Sequence, residues 1–406
     1  MQTTALRLYG KCDLRLESFD LPEMQEDEIL ATVVTDSLCL SSWKEACLGE
    51  DHKKVPDDVA THPIIIGHEF CGDIVAVGKK WQHIFQPGQR YVIQANLQLP
   101  DSPDCPGYSF PWVGGEATHV VIPNEVMAQD CLLAYEGETY FEGSLVEPLS
   151  CVIGAFNANY HLQEGSYNHT MGIRPQGRTL ILGGTGPMGL LAIDYALHGP
   201  INPSLLVVTD TNNDKLSYAR KHYPSEPQTL IHYLNAADAS FDTLMALSGG
   251  HGFDDVFVFV PNEGLVKLAS SLLATDGCLN FFAGPQDKNF SAPINFYDLH
   301  YAFTHYVGTS GGNTDDMRAA VKLIEEKKVQ AAKVVTHILG LNTAGETTLA
   351  LPEIGGGKKL VYTHKSLPLI ALDQINDPQL REILDRHQGI WCREAEQYLL
   401  ANTAHI

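Results

Sequence analysis

Leu182-Gly183-Gly184-Thr185-Gly186-Pro187-Met188-Gly189 stands between a short apolar run at 179–182 and a segment of helical character at 188–197. Glycines 184, 186 and 189 make a G-x-G-x-x-G pattern. A strand before it and a helix after it are the context in which that spacing means a dinucleotide-binding loop. Glycine permits the tight turn and the close approach of backbone to a pyrophosphate, while the helix start offers unbonded N–H groups and a favourable dipole. Asp210 follows the next apolar run, 205–209. A carboxylate there accepts hydrogen bonds from both ribose hydroxyls and repels a 2′-phosphate, which favours NAD. Thr211, Asn212, Asn213 and Lys215 beside it leave NADP open. The candidate cofactor residues are Gly184, Thr185, Gly186, Pro187, Met188, Gly189, Asp210 and Lys215.

Working outward, apolar runs at 256–260 and 278–283 flank a helical stretch at 265–273. Strands alternating with helices imply βαβ units, a parallel sheet and an α/β fold. Upstream, short extended runs at 29–34, 74–77, 91–94 and 118–122 are separated by turn signals such as Pro87-Gly88-Gln89, as in a mostly β domain. Residues 160–177 are polar and punctuated by Gly and Pro, and read as an insertion or connecting loop. Beyond 305 a helix is expected at 314–328, strands at 333–339 and 359–362, and a separate tail at 366–406 whose stretch 377–400 is consistent with a helix.

The 406 residues carry a formal charge of −22, with 44% hydrophobic and 19% charged residues. That is a globular composition, and the acidity argues against nonspecific nucleic-acid binding, which needs Lys and Arg against phosphate. No apolar run approaches the ~20 residues that cross a bilayer, and no signal peptide is expected at the N-terminus. The nine cysteines are scattered, odd in number and without a CxxC pair, which fits a reducing cytoplasm rather than a disulfide framework.

Metal-ligating residue types occur at Cys39, in Asp36-Ser37-Leu38-Cys39-Leu40-Ser41-Ser42-Trp43-Lys44, at His68 and Glu69, in Gly67-His68-Glu69-Phe70, and at Glu147, in Leu145-Val146-Glu147-Pro148-Leu149-Ser150. Thiolate, imidazole and carboxylate are common zinc donors. Spacing does not show that such distant residues meet. Taken alone, His68 reads as a hydrogen-bonded core histidine and Cys39 as a buried inert thiol.

These segments and the 184–189 loop follow one another in the order found in the zinc-containing medium-chain dehydrogenase/reductase superfamily, and over roughly residues 25–362 the chain resembles its sorbitol-dehydrogenase branch. The resemblance implies a GroES-like catalytic domain at 1–158, completed by 305–365, a Rossmann domain at 159–304, and an unexplained, partly helical extension at 366–406. It implies that Cys39 and His68 bind zinc, and that Glu69 is a ligand or a carboxylate close behind the ligands. Glu147 stands where relatives place a third ligand or a carboxylate bound to the zinc water, and which glutamate binds stays open. Ser41 takes the place of the hydroxyl that passes a proton to the substrate oxygen, so Ser41, Lys44 and Glu69 are the catalytic candidates.

The sequence departs from the family pattern in two places. Many relatives hold a structural zinc with four closely spaced cysteines, whereas 94–115 contains only Cys105, so one zinc per subunit is expected. Relatives often carry a proton-relaying histidine where Lys44 stands. The implied reaction is reduction of a ketose phosphate, L-sorbose 1-phosphate, to D-glucitol 6-phosphate with NAD(P)H, by a cytoplasmic homo-oligomer without nucleic-acid or membrane partners. A dehydrogenase of an unphosphorylated polyol and a silent nucleotide-binding scaffold are the alternatives. Lys44, His52, Lys53 and Lys54 are candidate holders of the phosphate. The loop 308–314 is assigned to the nicotinamide side or to structure, because Asp315 and Asp316 would repel an anion.

Overall fold

The computed structural model describes residues 1–163 and 165–406. They form two compact units: Met1–Pro148 with Ala320–Glu325 and Ala331–Ile406, and Leu149–Ala319 with Glu326–Gln330.

The second unit is built on six parallel strands in the order Leu230–Asn235, Leu205–Asp210, Arg178–Leu182, Phe253–Val258, Leu273–Phe281, His305–Gly308. The chain starts in the middle, moves to one edge, and then returns to build the other half. That reversal falls at Arg178–Leu182, and doubly wound sheets bind ligands at the carboxyl ends of the strands at such a point. The central strands read as continuous apolar runs because both faces are covered: Leu180, Ile181, Val207, Val256 and Phe257 have no exposed surface. The stretch 160–177, expected to be a loop, instead contains an antiparallel hairpin, Tyr160–Leu162 with His169–Met171. In the loop 308–314, Asn313 and Asp316 exchange backbone-to-side-chain hydrogen bonds of 3.0 and 2.9 Å, and Asn157 donates to Asp316 at 2.8 Å. Asp316 is thus tied into the structure.

The first unit is mostly antiparallel. Its largest sheet has nine strands, with Lys358–Tyr362 beside Thr35–Ser37 and Thr35–Ser37 beside Phe70–Val77. One core packs Ile29, Ala31, Phe70, Tyr91 and Val120, and another packs Leu8, Ile66, Leu339 and Val361.

The C-terminal stretch is not one helix. Pro378–Arg386 and Arg393–Asn402 are separated at Gln388 and Gly389, whose positive φ values of 58° and 79° break the helical path. Nor does the stretch stand apart from the unit. Trp391 is fully buried and its Nε1 donates to the Tyr362 hydroxyl at 2.7 Å, while the Glu396 carboxylate accepts from the Tyr140 and Phe141 amides at 2.8 Å. Among the described residues none of the nine cysteines forms a disulfide, and no helix is long and apolar enough to cross a membrane.

Candidate functional site

Cys39 is the N-cap of the helix Leu40–Leu48, so Ser41 and Ser42 fall in its first turn. Ser41 Oγ lies 2.9 Å from Cys39 Sγ and 3.1 Å from His68 Nε2, and Ser42 Oγ lies 3.3 Å from His68 Nδ1. The Tyr108 hydroxyl is also 3.2 Å from His68 Nε2. His68 follows Gly67, whose φ is +92° and whose added Cβ would lie 2.7 Å from an Asp36 oxygen and 2.8 Å from the Glu116 amide. Only glycine fits that turn, and the turn presents the imidazole to Cys39.

Glu69 is buried beside them. Its carboxylate accepts from Lys358 Nζ, 2.6 Å from Oε1, and from the Ser37 hydroxyl, and its amide donates to Asp36 at 3.1 Å. Lys358 and Glu69 are 3% and 1% exposed, so neither charge is solvated and each requires the other. Lys358 comes from the other end of the chain and reaches Glu69 because Leu360 pairs with Ser37 across the sheet.

The donor atoms of Cys39, His68 and Glu69 lie within 4.8 Å of one another, close enough to hold one metal ion. Burial, reinforced by Lys358, Lys54 and His52, lowers the His68 pKa to about 3, so its imidazole is neutral, as a metal ligand must be. Burial and the nearby Glu69 raise the Cys39 thiol to about 11. Cation uptake there therefore displaces a proton. Burial by itself would lower the Lys358 ammonium, but Glu69, Cys39 and Glu147 outweigh it and raise its pKa. Glu147 sits in the first turn of the helix Val146–Ala158, buried and close enough to act on Lys358 and Tyr108, but outside the group of three. Lys44 is half-buried one turn beyond Ser41, and its charge bears on His52.

In the second unit the glycine loop turns at Gly183, with φ +75°, and the helix Pro187–His198 begins with no side-chain cap. An added Cβ at Gly189 would lie 2.3 Å from the Gly184 carbonyl oxygen, whereas one at Gly186 would meet nothing within 4 Å. Gly189 thus serves close packing of loop on helix, and Gly186 faces open space. Thr185 Oγ1 is buried without a hydrogen-bond partner among the described residues. Asp210 accepts from the amides of Thr185 at 3.1 Å and Asn212 at 3.2 Å, which fixes its carboxylate beside the loop. An open helix start, an empty place at Gly186 and an unpaired hydroxyl fit a pyrophosphate. The Asn212 side-chain oxygen caps the amides of Asp214 and Lys215, and the Asn213 side-chain oxygen accepts from Asn235 at 2.8 Å. Lys215 is half-buried in the helix Asn213–His222.

Residues 25–131 match the alcohol dehydrogenase GroES-like domain, and residues 187–326 match the zinc-binding dehydrogenase domain. The chain is 83% identical over 404 residues to L-sorbose 1-phosphate reductase of Klebsiella pneumoniae, covering 100% of this chain and 98% of that protein. The chain belongs to the zinc-binding medium-chain dehydrogenase family. Within this family it is also 41% identical over 413 residues to mannitol-1-phosphate 5-dehydrogenase of Aliivibrio fischeri, covering 98% and 97% of the two chains. The crystal structure of 2R,3R-butanediol dehydrogenase from Bacillus subtilis shares the fold, with a TM-score of 0.72 at 20% identity over 89% of this chain and 99% of that one.

Lys358, Ser37, Ser42 and Tyr108 were not legible as site residues in the sequence. A lysine opening an apolar strand, Lys358-Lys359-Leu360-Val361-Tyr362, was the one signal, since such a lysine needs a buried acid.

Proposed function

We propose that this dehydrogenase reduces L-sorbose 1-phosphate to D-glucitol 6-phosphate, with one zinc ion per subunit and a nicotinamide cofactor for which Asp210 favours NAD over NADP. The full-length 83% identity carries the substrate, and the gathering of Cys39, His68 and Glu69 beside Ser41 supports the chemistry.

Bound at these residues, zinc supplies Lewis-acid polarisation of the ketose carbonyl, and the nicotinamide supplies hydride. Cys39 and His68 are the constant ligands of the proposal. Lys358 and Ser37 hold the Glu69 carboxylate in the group, and Glu147 is the second acid of the proposal. Ser42 holds His68 Nδ1 and so leaves Nε2 to face the ion. Ser41 Oγ hands its proton to the developing alkoxide. In the other unit the amides at Gly184–Gly189 take the pyrophosphate, and Asp210 takes the ribose hydroxyls.

A panel of L-sorbose 1-phosphate, L-sorbose, sorbitol and D-glucitol 6-phosphate with both cofactors tests this reading. Equal use of sorbitol and its 6-phosphate would favour a plain polyol dehydrogenase. A purified protein without zinc or turnover would favour a silent scaffold.

Nine cysteines without a disulfide among the described residues support a reducing, cytoplasmic location. Homo-oligomerisation is supported by a patch of exposed apolar side chains at Phe296 (69%), Tyr297 (68%) and Tyr301 (63%), near the last strand of the parallel sheet, and sedimentation equilibrium measures it.

A further inference from the structure

Tyr108 carries the Lys54 ammonium and the His52 ring against its own ring, a feature that metal binding and proton transfer do not use. Its hydroxyl touches His68, and its ring lies 4.8 Å from the His68 ring. Lys54 Nζ sits 4.9 Å from the Tyr108 centroid, and His52 stacks on the same ring at 5.7 Å with an interplanar angle of 12°. Among the described residues the Lys54 ammonium makes one hydrogen bond, to Cys105 Sγ at 3.1 Å, and a thiol is a weak acceptor. Lys54 and His52 are each half-buried, so the wall is reachable from solvent.

The local field is cationic in a chain whose net charge is −22. Burial, then Lys54, Lys53 and Lys44, lower the His52 pKa to about 4. Glu45 is the acid that acts on Lys54, and it is fully buried with neither carboxyl oxygen hydrogen-bonded among the described residues. Burial and the neighbouring Glu116 push its pKa well up, so Glu45 stays neutral and does not cancel the Lys54 charge. Lys358, by contrast, is already spent on Glu69.

In a 2-ketose 1-phosphate only three covalent bonds separate the reacting carbonyl carbon from phosphorus. A carbonyl held beside Cys39, His68 and Ser41 therefore brings its phosphate into the immediate surroundings of the site. We propose that Lys54, carried on Tyr108 and flanked by His52, holds the dianionic phosphate of a ketose 1-phosphate and sets the preference for phosphorylated over free sugar. This inference rests on the reaction assigned above. Charge alone made Lys44, His52, Lys53 and Lys54 equal candidates; the Tyr108 wall singles out Lys54 and its neighbour His52.

The test is the ratio of kcat/KM for L-sorbose 1-phosphate to that for L-sorbose, measured with the zinc-loaded enzyme. Lys54→Met is expected to lower this ratio about 100-fold, as loss of a charge-assisted contact does, and Lys54→Arg to restore most of it. Because the ratio is taken within one variant, a general loss of folded protein cancels. A wild-type preference for the phosphate that survives in Lys54→Met overturns the subsite and leaves the assigned reaction standing. A wild-type enzyme that uses L-sorbose as well as its 1-phosphate overturns the reaction, and the subsite with it.

Discussion

Lys358 and Glu69 form a buried ion pair, 2.6 Å between Nζ and Oε1, across a separation of 289 residues. The pair joins the strand Lys358–Tyr362 to the segment that bears His68, so the last part of the first unit fixes a carboxylate at the candidate metal site. Lys358→Met leaves that carboxylate buried without a counter-charge and is expected to cost about 3–5 kcal/mol of stability. Adding Glu69→Gln should recover part of the loss. Urea denaturation of the single and double variants measures both effects, and a fully additive double variant would show that the pair is not coupled.

Cys39→Ala and His68→Ala are each expected to abolish turnover and zinc retention. NADH binding should persist, because Gly184–Gly189 and Asp210 belong to the other unit. Metal content by atomic absorption and quenching of protein fluorescence by NADH separate the two properties. Full activity in a metal-free preparation would end the zinc reading.

Ser41→Ala removes the hydroxyl that lies 2.9 Å from Cys39 Sγ and 3.1 Å from His68 Nε2. Loss of a positioned proton donor is expected to lower kcat by about 10²–10⁴-fold. KM for the ketose phosphate should change far less, and the solvent isotope effect on kcat should change with it. A variant that altered only KM would make Ser41 a binding group.

Glu396 provides a pH signature for the C-terminal helices. Burial pushes its carboxyl from the usual 4.5 up to about 7, against the pull of the Tyr140 and Phe141 amides and the Tyr362 hydroxyl. Between those values the folded chain keeps a proton that the unfolded chain has released. Stability from this group is therefore full below about pH 4.5 and declines as pH rises through 7. Glu396→Gln should remove that decline, so that the wild type loses stability relative to the variant between about pH 5 and pH 8. Parallel pH profiles of urea midpoints would count against it.

The two halves of the molecule differ in how much of them a reader of the sequence could recover. The loop at 184–189 lies between its own strand and helix, and the structure finds it at the strand-order reversal. The neighbouring residues were less transparent. Asn212 reads as a polar residue near a ribose, yet it is used as a helix cap, since its oxygen satisfies two amides of its own first turn. Likewise 377–400 shows helical composition throughout, but the left-handed turn at Gln388 and Gly389 divides it, and Trp391 just beyond the break is buried against Tyr362.

The nucleotide-binding unit is legible from the chain alone, because strand, glycine turn, helix start and Asp210 are linked by local backbone geometry and short-range periodicity. The chain also supplied the donor types at Cys39, His68, Glu69 and Glu147, with the order of motifs standing in for their geometry. Folding in three dimensions is what brings Cys39, His68 and Glu69 together, sets Lys358 on Glu69, and lays Lys54 on Tyr108 beside His68. Those contacts depend on sheet register and on side chains packing across long separations, and no local pattern encodes the register between Leu360 and Ser37.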